Sequence, residues 1–259
     1  MRMMEISNER DILGIRVKVL GWTEALDELT LTLGADRPPR IINFLNANNA
    51  NLAVRNPAYR LGLARSEVLP DGVGVDIASK ALYGAAFPAN LNGTDLVPAL
   101  LVHVTRPLRI ALIGARADVL AKAVECFAVA TPWHSFHAVA DGYFDLGQSS
   151  DVLARLEAVA PDITLVALGS PAQEVWINDH IGPGHGKLVF GVGALFDFVS
   201  GHVPRAPKMV RDLRLEWVYR LILEPGRLWR RYIIGNPVFL FNVLCYKLAG
   251  ESRKQRFAA

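Results

Sequence analysis

Two cysteines and six histidines are all that this 259-residue chain offers as soft metal ligands, and neither set is spaced for the task. Cys126 and Cys245 stand apart in apolar surroundings with no CxxC or Cys/His pairing, so a zinc or disulfide framework is not expected and both read as packing residues. No HxxxH or HExxH pair occurs, so no metal site is expected. A complete GxGxxG is missing as well: the segment after RIALI reads GARADV, with Gly114 as its one glycine, which weakens a nicotinamide-binding reading. Nor does any uninterrupted apolar run reach the roughly 20 residues of a spanning helix. The nearest candidate, Tyr232 to Ala249, is broken by Gly235, Asn236 and Pro237 and carries Lys247, a pattern suited to lying in a membrane interface. The opening MRMMEISNERDILG holds acids where a secretory signal has its apolar centre, which predicts a cytoplasmic protein.

What the chain does have is apolar content: 51% hydrophobic residues and a mean hydropathy of +0.23, enough for one large core plus an extension. Its charge is divided unevenly. Residues 201–259 hold 12 Lys and Arg against 4 Asp and Glu, whereas residues 1–200 hold 16 against 21, so the formal +3 joins a mildly acidic part to a basic one. The expected division is an α/β domain over 1–200 and a basic, mainly helical amphipathic appendage over 201–259.

Through the first part, short apolar runs alternate with helical patterns. The expected strands are Ile15 to Leu20, Arg40 to Leu45, Glu67 to Leu69, Arg109 to Ile113, Ser135 to Ala140, Ile163 to Ala167 and Lys187 to Val192. RIALIG and ITLVALG are apolar on both faces, as when helices cover both sides of a parallel sheet. The fold class is therefore α/β, a doubly wound, mostly parallel Rossmann-like sheet. Such sheets bind ligands beyond the carboxyl ends of their strands. Those ends carry Asn46, Asp71, Gly114, Gly169, Ser170, Gln173 and Gly191, a set of glycines and polar groups suited to a phosphorylated ligand.

Each of these has a plainer reading. Asp71, in LPDGVGVDIASK, is either a turn or capping residue or a carboxylate at the mouth of the sheet, able to act as a general base. Gln173, in GSPAQEVWINDH, is either a solvated first-turn residue or a ligand contact. NGTDL at Asn92 to Leu96 reads as a turn and an N-cap. In the appendage, Arg220, Arg227 and Arg230 share one side if the helix is continuous, although Pro225 and Gly226 predict a bend. Trp217, Tyr219, Trp229 and Tyr232 interleave with them. Arginine suits bidentate phosphate contact and aromatic residues suit the bilayer interface, which favours a membrane bearing a phosphorylated lipid over nucleic acid. Arg220, Arg227 and Arg230 are expected to affect turnover, and Ile233, Phe239 and Phe241 to affect membrane binding.

Taken in order, FLNANNANLAVRNPAYR, LPDGVGVDIASK, NGTDLVPALL, ITLVALGSPAQEVWI, VFGVGALFDFVSGHVPRAPKMVR and LEWVYRLILEPGRLWRRYIIGNPVFL resemble the WecG/TagA/CpsF family of bacterial glycosyltransferases over nearly the whole chain. The resemblance implies an inverting, metal-independent transferase without a cofactor. It would move a sugar from a UDP-sugar donor to a polyprenyl-diphosphate-linked saccharide at the inner face of the cytoplasmic membrane, in cell-surface polysaccharide or exopolysaccharide synthesis. By that resemblance Asp71 is the base, Asn46 and Gln173 are pocket residues, and Arg220, Arg227 and Arg230 steady a diphosphate. Phe44 and Asn90 depart from residues frequent in the family, leaving N-acetylmannosamine, its uronic acid, glucose and glucuronic acid all open as the donor sugar. Homo-oligomerisation is open too. The rival readings are a nucleotide-dependent oxidoreductase or epimerase, and a non-catalytic peripheral membrane scaffold.

Overall fold

The structure is a computed structural model that describes residues 8–35, 37–212 and 215–249. It begins with a hairpin, β1 (Glu9–Ile12) and β2 (Ile15–Lys18), joined by Leu13 and Gly14. Both turn residues have positive φ, the geometry that matches the twist of a two-residue hairpin, and Asp11 Oδ1 accepts from the Gly14 amide at 2.6 Å. Then come α1 (Trp22–Gly34), β3 (Arg40–Leu45), α2 (Ala47–Arg55), α3 (Pro57–Ala64), β4 (Glu67–Pro70), α4 (Val73–Tyr83), α5 (Gly93–His103), β5 (Arg109–Gly114), α6 (Ala117–Ala130), β6 (Ser135–Ala140), α7 (Ser150–Val159), β7 (Ile163–Ala167), α8 (Ala172–His180), β8 (Leu188–Gly191) and α9 (Leu195–Val199). The carboxyl-terminal part consists of α10 (Lys208–Asp212), α11 (Glu216–Leu223), α12 (Pro225–Trp229), a π-helical turn (Arg230–Ile234) and α13 (Gly235–Leu248).

Six strands form one parallel sheet in the order β4-β3-β8-β7-β5-β6, the doubly wound α/β arrangement the alternating pattern predicts. One expectation is corrected: Ile15 to Leu20 does not enter this sheet. Its strand ends at Lys18 and pairs antiparallel with β1, a partner hidden in sequence because leucine is an unusual residue at a positive-φ turn position. Alternate side chains of the sheet feed two faces. Ile42, Phe44, Ile110, Leu112, Leu165 and Phe190 pack with α1, α5, α6 and α9, while Leu45, Val68, Ile113, Val166 and Val189 face helices of the other layer. The pattern ANLAVRNPAYRLGLARS breaks at Asn56, which ends α2 and caps α3 through its side chain, with Pro57 at the first helical position.

α13 is docked rather than free. Phe239, Val243 and Tyr246 are buried against a cluster that includes Ile12, Val75 and Ala78. Asn51 Nδ2 donates to the Gly235 carbonyl at 2.8 Å, and the Tyr246 hydroxyl donates to Asp11 Oδ1 at 2.9 Å. Phe239, expected at the membrane, is fully buried, because it and Val243 lie one turn apart on the core-facing side of the helix. Among the described residues no helix is long and apolar enough to cross a membrane.

Candidate active site

The carboxyl ends of β3, β4, β7 and β8 open into a cleft of about 1060 Å³, closed on one side by the carboxyl-terminal helices. Asp71 follows β4 directly. Its amide donates to the Leu45 carbonyl at 2.9 Å, which fixes the turn, and its carboxylate accepts from Asn46 Nδ2 at 3.1 Å. The capping reading fails here: Gly72, at φ +91°, is the residue preceding α4, and the Asp71 side chain points into the cleft instead. Asn46 serves two ends at once. Its Oδ1 caps α2 by accepting from the Asn49 amide at 3.0 Å, so the geometry of the cap holds the amide nitrogen toward Asp71. Asn90 accepts from the Gly72 amide at 2.7 Å, bracing the same turn from the other side. Burial raises the Asp71 pKa above the ordinary carboxylate value, and the hydrogen bond from Asn46 and the charges of Arg231 and Arg220 pull it back.

Gln173 lines the cleft from α8 but is itself almost wholly buried. Its Oε1 accepts from the Gly193 amide at 3.0 Å and its Nε2 donates to Glu174 Oε1 at 3.0 Å. Ser170 also donates to Glu174 Oε1, at 2.6 Å, and accepts from Asn49 Nδ2 at 3.4 Å. Gln173 is thus a strut that sets the loop after β8. Gly191 is required by the same packing, since a Cβ there would collide with Asn43 Oδ1 and lie 3.0 Å from Gln173 Nε2. Gly169 and Ser170 line the cleft, as does Gly191. Gly114 does not: at φ +117° a side chain there would strike the Ala167 carbonyl, and the cleft is met instead by Ala115 and Arg116.

The appendage brings arginines over this floor. Arg220 lies 5.2 Å over the Phe198 ring and lines the cleft with Arg211, Arg227 and Arg231. Arg227 is held in a bidentate pair with Glu224 at 2.6 and 2.9 Å. Arg230, expected beside them, is exposed and stands 5.4 Å over Trp229, outside the cleft lining. Arg231 lines the cleft in its place, one turn on from Arg227 at i+4, a spacing that keeps two side chains on one side of a helix. The junction is pinned by the NGTD segment. Asn92 caps α5 through its side chain, as expected. Asp95 then accepts from Arg205 at 2.7 Å and from Arg211 at 3.2 Å, with Thr94 Oγ1 taking a further bond from Arg205 at 3.2 Å.

Tyr143, Glu216, Trp217 and Tyr232 also line the cleft, and sequence reasoning assigned none of them to it. Burial raises the Glu216 pKa, opposed by the Arg205 charge. Asp95 had a signal, since an acid three residues after an N-cap sits at the start of the helix, where a cationic partner can reach it; Tyr143, in an exposed loop after β6, had none.

Residues 10–253 match the model of the glycosyl transferase WecG/TagA/CpsF family. A curated relative from Bacillus spizizenii, named N-acetylglucosaminyldiphosphoundecaprenol N-acetyl-beta-D-mannosaminyltransferase, is 34% identical over 201 residues, covering 76% of each chain. The matched span takes in the cleft floor and the helices over it, and the chain belongs to the WecG/TagA/CpsF family of glycosyltransferases.

Proposed function

We propose that the protein transfers a sugar from a UDP-sugar to a hydroxyl of a polyprenyl-diphosphate-linked saccharide, with inversion and without a metal, while lying on the inner face of the membrane. The observation that carries this is the opposition of one cleft carboxylate, Asp71, to Arg220 and Arg231. Asp71 accepts the proton of the attacking hydroxyl. As the new bond forms at the anomeric carbon, the bond to UDP breaks on the opposite side and the diphosphate leaves with its electron pair. Arg220, Arg231 and Arg227 meet that charge in a partly closed cleft, where fixed cations act more strongly than in water. Gln173 holds the Gly193 amide in position, and the loops after β7 and β8 supply further backbone N–H groups.

The activity for which the Bacillus relative is named supports N-acetylmannosamine as the donor sugar and an N-acetylglucosaminyl diphosphate lipid as the acceptor. Exposed Ile222, Leu223, Trp229, Ile233 and Phe241, beside Arg227, Arg230 and Lys247, support a peripheral membrane position.

A panel of UDP-sugars offered with a short-chain polyprenyl-diphosphate N-acetylglucosamine, read by mass spectrometry in the presence of EDTA, tests the reading. Asp71→Asn is expected to lower turnover about 10²–10⁴-fold while donor binding, measured by calorimetry, persists. Full turnover by Asp71→Asn, or no product from any donor with the unaltered chain, would reject it.

A further inference from the structure

The cleft has an apolar exit. Most of the large apolar side chains exposed on the described surface lie away from the cleft, but Ile77, Ile233 and Leu240 are both exposed, at 46, 56 and 41%, and part of its lining. All three lie on one side of it. Val73, Gly74 and Ile77 share the cleft-facing side of the first turns of α4, immediately after Asp71. α13 runs beside them, with the Phe239 ring in ordinary van der Waals range of Gly74, whose missing side chain also lets Ala47 of α2 pack close, 3.0 Å from where a Cβ would stand. Along α13, Pro237, Leu240, Leu244 and Leu248 follow at i, i+3, i+7 and i+11 and so share one flank of the helix. Pro237 and Leu240 line the cleft, whereas Leu244 and Leu248 are exposed beyond it, so the row runs from inside the cleft to the surface over about 17 Å.

We propose that this row, with Ile77 opposite its inner end, is a track for the first isoprenoid units of the acceptor. The inference rests on the transferase reading above and adds the place where the lipid leaves the site. Its occupant follows from the order of the groups. Asp71 stands just ahead of α4, and Val73, Gly74 and Ile77 of that helix line the cleft after it, so an acceptor with its hydroxyl on Asp71 and its far end leading out along α4 has its lipid at the Ile77 and Leu240 pair. That segment meets apolar side chains from both helices, Ile77 on one and Leu240 on the other, which suits a hydrocarbon. An acceptor carrying an isoprenoid then gains contact that one lacking it does not, even when no membrane is present.

The test compares two soluble acceptors, N-acetylglucosaminyl diphosphate esterified with farnesyl or with methyl, without vesicles, in the unaltered chain and in the double variant Ile77→Ser with Leu240→Ser. The unaltered chain is expected to prefer the farnesyl acceptor in kcat/KM, and the variant to reduce that preference about tenfold. Sedimentation with anionic vesicles is measured on the same proteins. An unchanged preference in the variant, with vesicle binding reduced, overturns the track and makes the row a membrane face. Equal use of both acceptors by the unaltered chain overturns the track alone, whereas no transfer to either removes the transferase reading with it.

Discussion

Glu174 is a carboxyl group with almost no access to water and, among the described residues, no ion-pair partner. Its Oε1 is shared by Ser170 and Gln173, and Oε2 has no hydrogen-bond partner among the described residues. Burial therefore raises its pKa, with the two hydrogen bonds opposing, and burial together with the Glu174 charge pushes the nearby Tyr59 hydroxyl upward too. The sign follows directly. The unfolded chain releases this proton at an ordinary carboxylate pKa and the folded chain at a higher one, so stability falls as pH rises from the unfolded value through the folded one. Glu174→Gln keeps an acceptor for Ser170 and Gln173 and removes the charge. Urea unfolding at pH 5 and pH 8 is expected to show the variant gaining on the unaltered chain as pH rises, by on the order of 1–3 kcal/mol at the upper end. A gap that stays constant or narrows would show that Glu174 is not held neutral by burial. Asn46 and Asp71 could be read from sequence because a strand end followed by a turn places them beyond the sheet. Glu174 could not, since an acid in the first turn of a helix ordinarily faces water and only packing against α3 hides it.

At the scale of elements, the packing of the carboxyl-terminal helices sets which arginines line the cleft. Spacing along an α-helix allows either Arg230 or Arg231 on the side of Arg227; in the structure, with its bend at Glu224 and Pro225 and its π-helical turn from Arg230 to Ile234, Arg231 lines the cleft and Arg230 does not. Such a turn depends on how α12 and α13 are anchored at each end, here by Leu228 and Phe239 in buried positions, and not on local composition. The same holds for the β1–β2 hairpin, whose turn carries a leucine, while the six parallel strands were legible because each is a short apolar run set between helical patterns. Arg231 stands ahead of Arg220 among the charges that lower the Asp71 pKa, and Arg230 is not among them. Arg231→Ala should therefore move the acid limb of the kcat/KM profile, set by Asp71, to higher pH and lower kcat about a hundredfold. Arg230→Ala should leave that limb in place. A limb that moves with Arg230→Ala and not with Arg231→Ala would assign the two arginines the other way.

For the molecule as a whole, the uneven charge sets how it meets a surface. The basic residues are densest after residue 200, and the exposed apolar side chains Ile222, Trp229, Ile233, Phe241 and Leu248 lie in the same region, so in the peripheral position proposed above attraction to anionic headgroups and burial in the interface would act at one place. The two contributions respond differently to salt. Attraction of a basic surface to anionic lipid is worth about 1 kcal/mol per basic residue near the membrane and decays within a Debye length, about 10 Å at 0.1 M and about 3 Å at 1 M. Apolar insertion is not screened. Arg227 is already paired with Glu224, so it contributes less to this attraction than Arg230 or Lys247. Co-sedimentation with vesicles containing anionic lipid is therefore expected to weaken by more than about tenfold between low and high salt and then level off, while binding to uncharged vesicles stays low and nearly constant. Ile222→Ser with Phe241→Ser should lower the high-salt level and leave the slope intact, because neither side chain carries charge. Binding that ignores salt, or a high-salt level untouched by the double substitution, would mean that this region is not the surface that meets the membrane.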